Sequence, residues 1–217
     1  MMDVLYRWPE AARFGRHVSK AKFYEKGVVS SSTKDKFVAE VERITWAYKL
    51  APGTINLPGS DSVPEIQVFI LDAKGTDVSE AVTVTIDKAI KQPIIFEIVG
   101  ALGTRTTATP KQVDTATPKL GAYYSTGWIP ADSTREPLPT AINLAALYGA
   151  LLEPLTSVAV HPGEEVSDVA ARLDAVRRLE REVASLERKL RTEPQLNRKV
   201  EWRRALKTKH AELSALK

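Results

Sequence analysis

At 217 residues and 43% hydrophobic content, the chain can bury a real core, enough for one medium domain with an appendage or two small domains. It has no cysteine, which excludes disulfides, a thiolate nucleophile and a cysteine-ligated zinc site. No stretch approaches the roughly 18 consecutive apolar residues of a membrane span, and "MMDVLYRWPEAARFGRH" has no leader-like apolar run, so cytoplasmic residence is expected. The net charge of +4 is unevenly spread. Asp168 to Lys217 hold 14 Lys/Arg against 8 Asp/Glu, whereas the other 167 residues hold 17 against 19. The basic excess therefore lies in the last quarter of the chain, which points to an anionic partner.

In chain order, "SSSTKDKFVAEVERI" predicts a helix capped by Ser32, with Asp35 in its first turn and Phe37, Val41 and Ile44 on one stripe. Ile44, Trp46, Tyr48 and Leu50 then alternate as in a half-buried strand. "APGTINLPGSDSVP" reads as turns with a short extended piece at Ile55–Leu57, and "EIQVFIL" as a strand buried on both faces. Asp77 and Glu80 have capping-box spacing before a helix whose apolar face is Val78, Val82, Ile86 and Ala89. "QPIIFEIV" is a strand opened by Pro93. The Thr- and Pro-rich stretch 104–118 has no period and reads as a long loop or ragged edge. "KLGAYYSTGWIP" reads as another strand, and "TAINLAALYGALLEPL" as a helix capped by Thr140 with Leu144, Leu147 and Leu151 inward.

After residue 160 the pattern changes. Val166, Val169, Leu173, Val176, Leu179, Val183, Leu186 and Leu190 recur at steps of three and four, a coiled-coil-like seam. Pro194 breaks it, and a second helix carries Trp202, Leu206, Leu213 and Leu216 on one side, with Lys209 intruding. Such a pair predicts an antiparallel hairpin. The expected architecture is α+β: a body over 1–160 with a mostly antiparallel sheet of four or five strands and helices on one side, a linker at 161–167, and a basic hairpin at 168–217.

Chemical signatures are sparse. His17, His161 and His210 are scattered singly, without the convergent ligands zinc needs, so no metal is implied. "GALGTRTT" from Gly100 lacks the phosphate-loop pattern, no nucleophile elbow occurs, and no cofactor is implied. Asp61 followed by Asp72 and Lys74 superficially matches a Mg²⁺-dependent nuclease, with Glu65 and Gln67 as an overlapping version; that reading requires the carboxylates to converge on one ion. Arg198, Lys199, Trp202, Arg203, Arg204 and Lys207 form a basic face with one aromatic, suited to docking a partner or tracking a phosphate backbone.

The segments "VERITWAYKLAPGTINL", "EIQVFIL", "IDKAIKQPIIFEI", "YYSTGW" and "LERKLRTEPQLNRKVEWRRAL" resemble domain-of-unknown-function family 4391 from about Lys20 to Leu213, with Lys91 departing where a proline is expected. The resemblance implies a bacterial protein encoded beside helicase-like ATPases and DNA methyltransferases of restriction or phage-defence type. It implies no catalytic residue. The expected function is a non-enzymatic adaptor whose hairpin docks such a helicase or methyltransferase, or a second copy of itself. The alternatives are the Mg²⁺-dependent nuclease and a nucleic-acid-binding module led by the hairpin.

Overall fold

The computed structural model describes residues 3–25, 29–113, 119–156, 158, 164 and 166–217. Its centre is a six-stranded sheet. In spatial order this runs β1 (Arg13–His17), β2 (Val41–Leu50), β3 (Ile66–Ala73), β4 (Ile94–Gly100), β5 (Gly103–Ala108) and β8 (Tyr124–Ser125). All neighbours are antiparallel except β3 and β4, which helix α4 (Glu80–Ala89) joins as a parallel pair. A two-residue ribbon of β6 (Lys111–Gln112) and β7 (Lys119–Leu120) stands apart. The class is thus α+β with a mostly antiparallel sheet. It gains edge strands because β1, broken by a register shift and glycine-kinked at Gly15 (φ 63°), has no clean alternation to read.

Helices lie on both faces of the sheet, not on one. Short α1 (Ala21–Glu25), α2 (Ser31–Glu40) and α4 cover one face, where Phe23, Phe37, Ile44, Phe69, Leu71, Val82, Ile86, Ile94, Phe96 and Ile98 form a core. Helix α5 (Leu144–Leu152) covers the other, where Leu50, Ile66, Val68 and Ile95 meet Leu144, Leu147, Tyr148 and Leu151. The reason is in β3 and β4: strands apolar on both sides need cover on both sides.

Strand β2 explains why a single alternation fails. The register against β3 shifts between Trp46 and Tyr48. Ile44 and Trp46 therefore join the α2/α4 core, while Tyr48 and Leu50 join the α5 core. One extra residue, Ala47, turns the strand over. Likewise Val41 leaves the helix: α2 ends at Glu40 and the chain passes straight into β2, so the predicted stripe is buried but only Phe37 of it is helical.

Local caps differ from those expected. Ser30 caps α2 by accepting from Thr33 N, and Asn143, not Thr140, caps α5 by accepting from Ala146 N. Before α4, Asp77 accepts from Val78 N and pairs with Arg105, and Glu40 accepts from Ser79 N, in place of a capping box. Residues 52–55 form one helical turn, α3 (Pro52–Ile55), closed by left-handed Asn56 rather than an extended piece.

The Thr-rich stretch is a strand as far as Ala108. Its threonines are β-branched and the strand finds polar partners: Thr107 Oγ1 donates to Tyr124 O, and the Thr106 backbone N–H donates to Thr126 Oγ1. Residues 114–118 of it lie outside the described set. "KLGAYYSTGWIP" in turn yields only β7, β8 and a bridge from Ile129 to Thr104. Gly100 and Gly103 flank the β4–β5 hairpin turn. A side chain at Gly103 (φ 119°) would collide with the Ile129 carbonyl oxygen, so Gly103→Ala should destabilise the chain by about 2 kcal/mol or more, as read by urea denaturation.

Candidate functional site

Helix α6 (Val166–Thr192) and helix α7 (Leu196–Leu216) form the antiparallel hairpin, about 40 Å and 30 Å long, around a turn at Glu193, Pro194 and Gln195. The eight-residue apolar seam of α6 divides its work. Val166 joins the α5 core, while Val169, Leu173 and Val176 pack with Val158, against which Tyr124, Leu213 and Leu216 lean. The base of α6 is thus anchored to the body. Farther out, α6 packs along α7: Leu179 and Val183 are buried, and Leu186 and Leu190 half-buried.

Helix α7 has no buried residue. Trp202, Leu206, Leu213 and Leu216 are half-buried against α6, as the spacing predicts, with the Lys189 ammonium 4.8 Å from the Trp202 ring centroid. Lys209 occupies the seam and carries its charge to the edge, 3.1 Å from Glu182 and 2.9 Å from Glu212. Hydrogen bonding to Glu212, then to Glu182, holds its ammonium above the usual lysine range.

The outward face is different. Leu196 is 72% exposed and Val200 40%, and Arg203, Arg204 and Lys207 follow at helical spacing, all exposed. Among the described residues none of these three cations has an ion-pair partner. Arg198 reaches Glu193 at 3.8 Å only, and Lys199 is half-buried beside the seam. Of the six residues expected to form a docking face, Arg203, Arg204 and Lys207 share the outward side with two exposed aliphatics, and Trp202 turns inward.

The nuclease constellation does not assemble. Asp61 is exposed in the turn before β3, where Val63 packs with Leu50 and Ile66. Asp72 is six residues beyond Ile66, so about 20 Å of strand separates the two ends. Asp72 instead pairs with Arg43 at 2.7 Å, in a groove of about 490 Å³ that His17 also lines. Lys74 is exposed past the strand end. Glu65 is held by Lys49 and by the Gln67 amide. No three His, Asp or Glu residues among those described could share a metal ion. His210 is exposed on α7, and His161 lies outside the described residues, as do 161–163 and 165 of the linker span.

Two ion pairs built on buried carboxylates escaped the sequence reading. Lys111, fully buried, donates to Asp87 Oδ1 and to the carbonyls of Asp87, Ile90 and Gln92, closing the C-terminus of α4; Tyr123 OH donates to Asp87 Oδ2. Glu97, 1% exposed, accepts from both Arg135 terminal nitrogens and from Trp8 Nε1, strapping the N-terminal segment onto β4. Each carboxylate is saturated by its own partners, which makes both pairs supports of the fold. The signal was present: Glu97 is a lone charge inside "PIIFEIV".

The model of the family described as Domain of unknown function (DUF4391) matches residues 7–213. The chain belongs to this family. No curated protein and no solved structure matches it. The match runs through the body and along nearly all of α7, so the hairpin is a part of this family's domain. No helix among the described residues is long and apolar enough to cross a membrane.

Proposed function

We propose that this DUF4391 protein is a non-enzymatic adaptor of a bacterial restriction or phage-defence system. Its hairpin docks a helicase-like ATPase or a DNA methyltransferase. The observation that carries the reading is the outward face of α7: two solvent-exposed aliphatics among unpaired cations, on a helix pair fixed at its base. A rigid, preorganised ridge loses little conformational entropy when a partner covers it. Burying what remains exposed of Leu196 and Val200 contributes roughly 2–3 kcal/mol together, and the arginines set orientation against an acidic surface. The body is the rigid platform, and the division into body 1–160 and hairpin 168–217 is its functional division.

The test is co-purification with the ATPase and methyltransferase encoded beside it. Arg203→Glu/Arg204→Glu should lose the partner at least tenfold, while the melting temperature stays within about 2 °C because both residues are exposed. Unchanged recovery by that variant would contradict the reading. A second reading, nucleic-acid contact, is favoured by the same unpaired cations. It predicts duplex binding that falls steeply with salt and disappears in the same variant.

A further inference from the structure

On the α2/α4 face of the sheet, away from the hairpin, lies a cavity of about 470 Å³. Trp46 of β2 and Gln67 and Phe69 of β3 line it from the sheet. Val18, Lys22 and Phe23 line one side, and the end of α4 with its following turn, Ala89 to Gln92, lines the other. We propose that this cavity binds an adenine nucleotide, with the base among the aromatic rings, its edge on the Gln67 amide, and its phosphate on Lys22 and Lys91.

Three observations support that chemistry. First, three of the six apolar lining residues are aromatic and two of them are preset: Trp46 lies within 9° of parallel to Phe69 at 6.0 Å, and Phe14 braces Trp46 at 4.2 Å. Flat walls favour a planar ligand. Second, Gln67 is 4% exposed, and a buried amide is costly unless its polar atoms are used. Its Nε2 donates to Glu65 Oε1 at 2.8 Å, and Lys49 holds Glu65 at 2.7 Å, which fixes the amide's orientation. One N–H and the carbonyl oxygen remain without a partner among the described residues. One donor beside one acceptor is the pattern that pairs with adenine N7 and N6–H₂. Third, Lys22 and Lys91 are exposed at the rim and make no ion pair among the described residues, so a phosphate meets two unneutralised ammoniums. The turn that carries Lys91 is itself fixed, since Lys111 binds the carbonyls of Ile90 and Gln92 from beneath.

Isothermal titration of the full chain with adenosine 5′-monophosphate, cytidine 5′-monophosphate and tetradeoxyadenylate tests this. Adenosine monophosphate should bind, and cytidine monophosphate about tenfold more weakly. Gln67→Leu should weaken adenosine monophosphate about tenfold, and the surface pair Lys22→Glu/Lys91→Glu by a similar factor without lowering the melting temperature. Tighter binding of the tetranucleotide than of the mononucleotide identifies a strand terminus as the source of the base; the reverse identifies a free nucleotide. Absence of binding by either adenine probe at millimolar concentration overturns the proposal. So do equal affinity for the cytidine probe and unaltered binding by the lysine variant.

Discussion

Lys111→Met should lower the free energy of unfolding by about 3–5 kcal/mol, among the largest effects expected from the residues discussed. On the order of 10 °C in melting temperature would follow for a chain of this size. The ammonium sits 2.7 Å from both Asp87 Oδ1 and Asp87 O and 2.9 Å from Gln92 O, with neither side chain reaching solvent. Methionine matches the length of lysine but donates nothing. It leaves the last carbonyls of α4 open and a carboxylate in the core with only the Tyr123 hydroxyl. Burial already pushes Asp87 above the usual carboxylate range, with Lys111 the chief force pulling it back. Without that pull the carboxyl rises further. A folded-state pKa above the unfolded one means stability present at acid pH and lost as pH rises through the folded value. The deficit of Lys111→Met should therefore be smaller at pH 4 than at pH 8 in urea denaturation. Pairing it with Asp87→Leu, which removes the orphaned charge, should restore part of the loss.

Leu173→Ala is expected to cost about 2–5 kcal/mol and to loosen the root of the hairpin. Leu173 is 2% exposed and packs with Val158, Val169 and Val176 where α6 meets the body. Leu206 is half-buried on α7, a helix with no buried residue, and Leu206→Ala should cost about 1 kcal/mol. The contrast, measured by chemical denaturation together with limited proteolysis near residues 164–170, separates two pictures. In one the hairpin is an arm resting on itself; in the other its first helix is part of the core. Equal costs at both positions would favour the first. The second has a practical consequence: deleting residues 168–217 would strip Val169, Leu173 and Val176 from that core, so point substitutions on α7 are the cleaner probe of docking.

The legible parts of the sequence were those with a long period. Helices α4, α5, α6 and α7 repeat their apolar residues over several turns, and β3 and β4 are apolar runs, broken only by Gln67 and Glu97 before the strand ends and bounded by Gly and Pro, so each could be placed from side-chain pattern alone. What escaped depended on contacts distant in sequence. Strand β2 changes faces at Ala47 because of how it pairs with β3, and β1 exists only because β2 offers it an edge. Threonines 104–107 read as loop because they are polar, whereas the fold pairs the Thr107 hydroxyl with Tyr124 O and Ser125 Oγ and the Thr106 N–H with Thr126 Oγ1, groups distant in sequence. The same limit applied to the site. Spacing placed Arg203, Arg204 and Lys207 on one side of α7, but only the packing of α6 showed that this side, with Leu196 and Val200, is left open. Asp61 and Asp72 looked paired in sequence and stand at opposite ends of β3.

The most direct measurement of the proposed docking is site-specific photocrosslinking in cells that carry the helicase-like ATPase and the DNA methyltransferase proposed as partners. The crosslinker is placed at Val200 or Arg204 on the open side of α7, and at Leu102, exposed on the β4–β5 turn, as the comparison. Adducts to one of those two proteins are expected from Val200 and Arg204, and none from Leu102. Adducts from Leu102 with none from α7 would contradict the proposed docking.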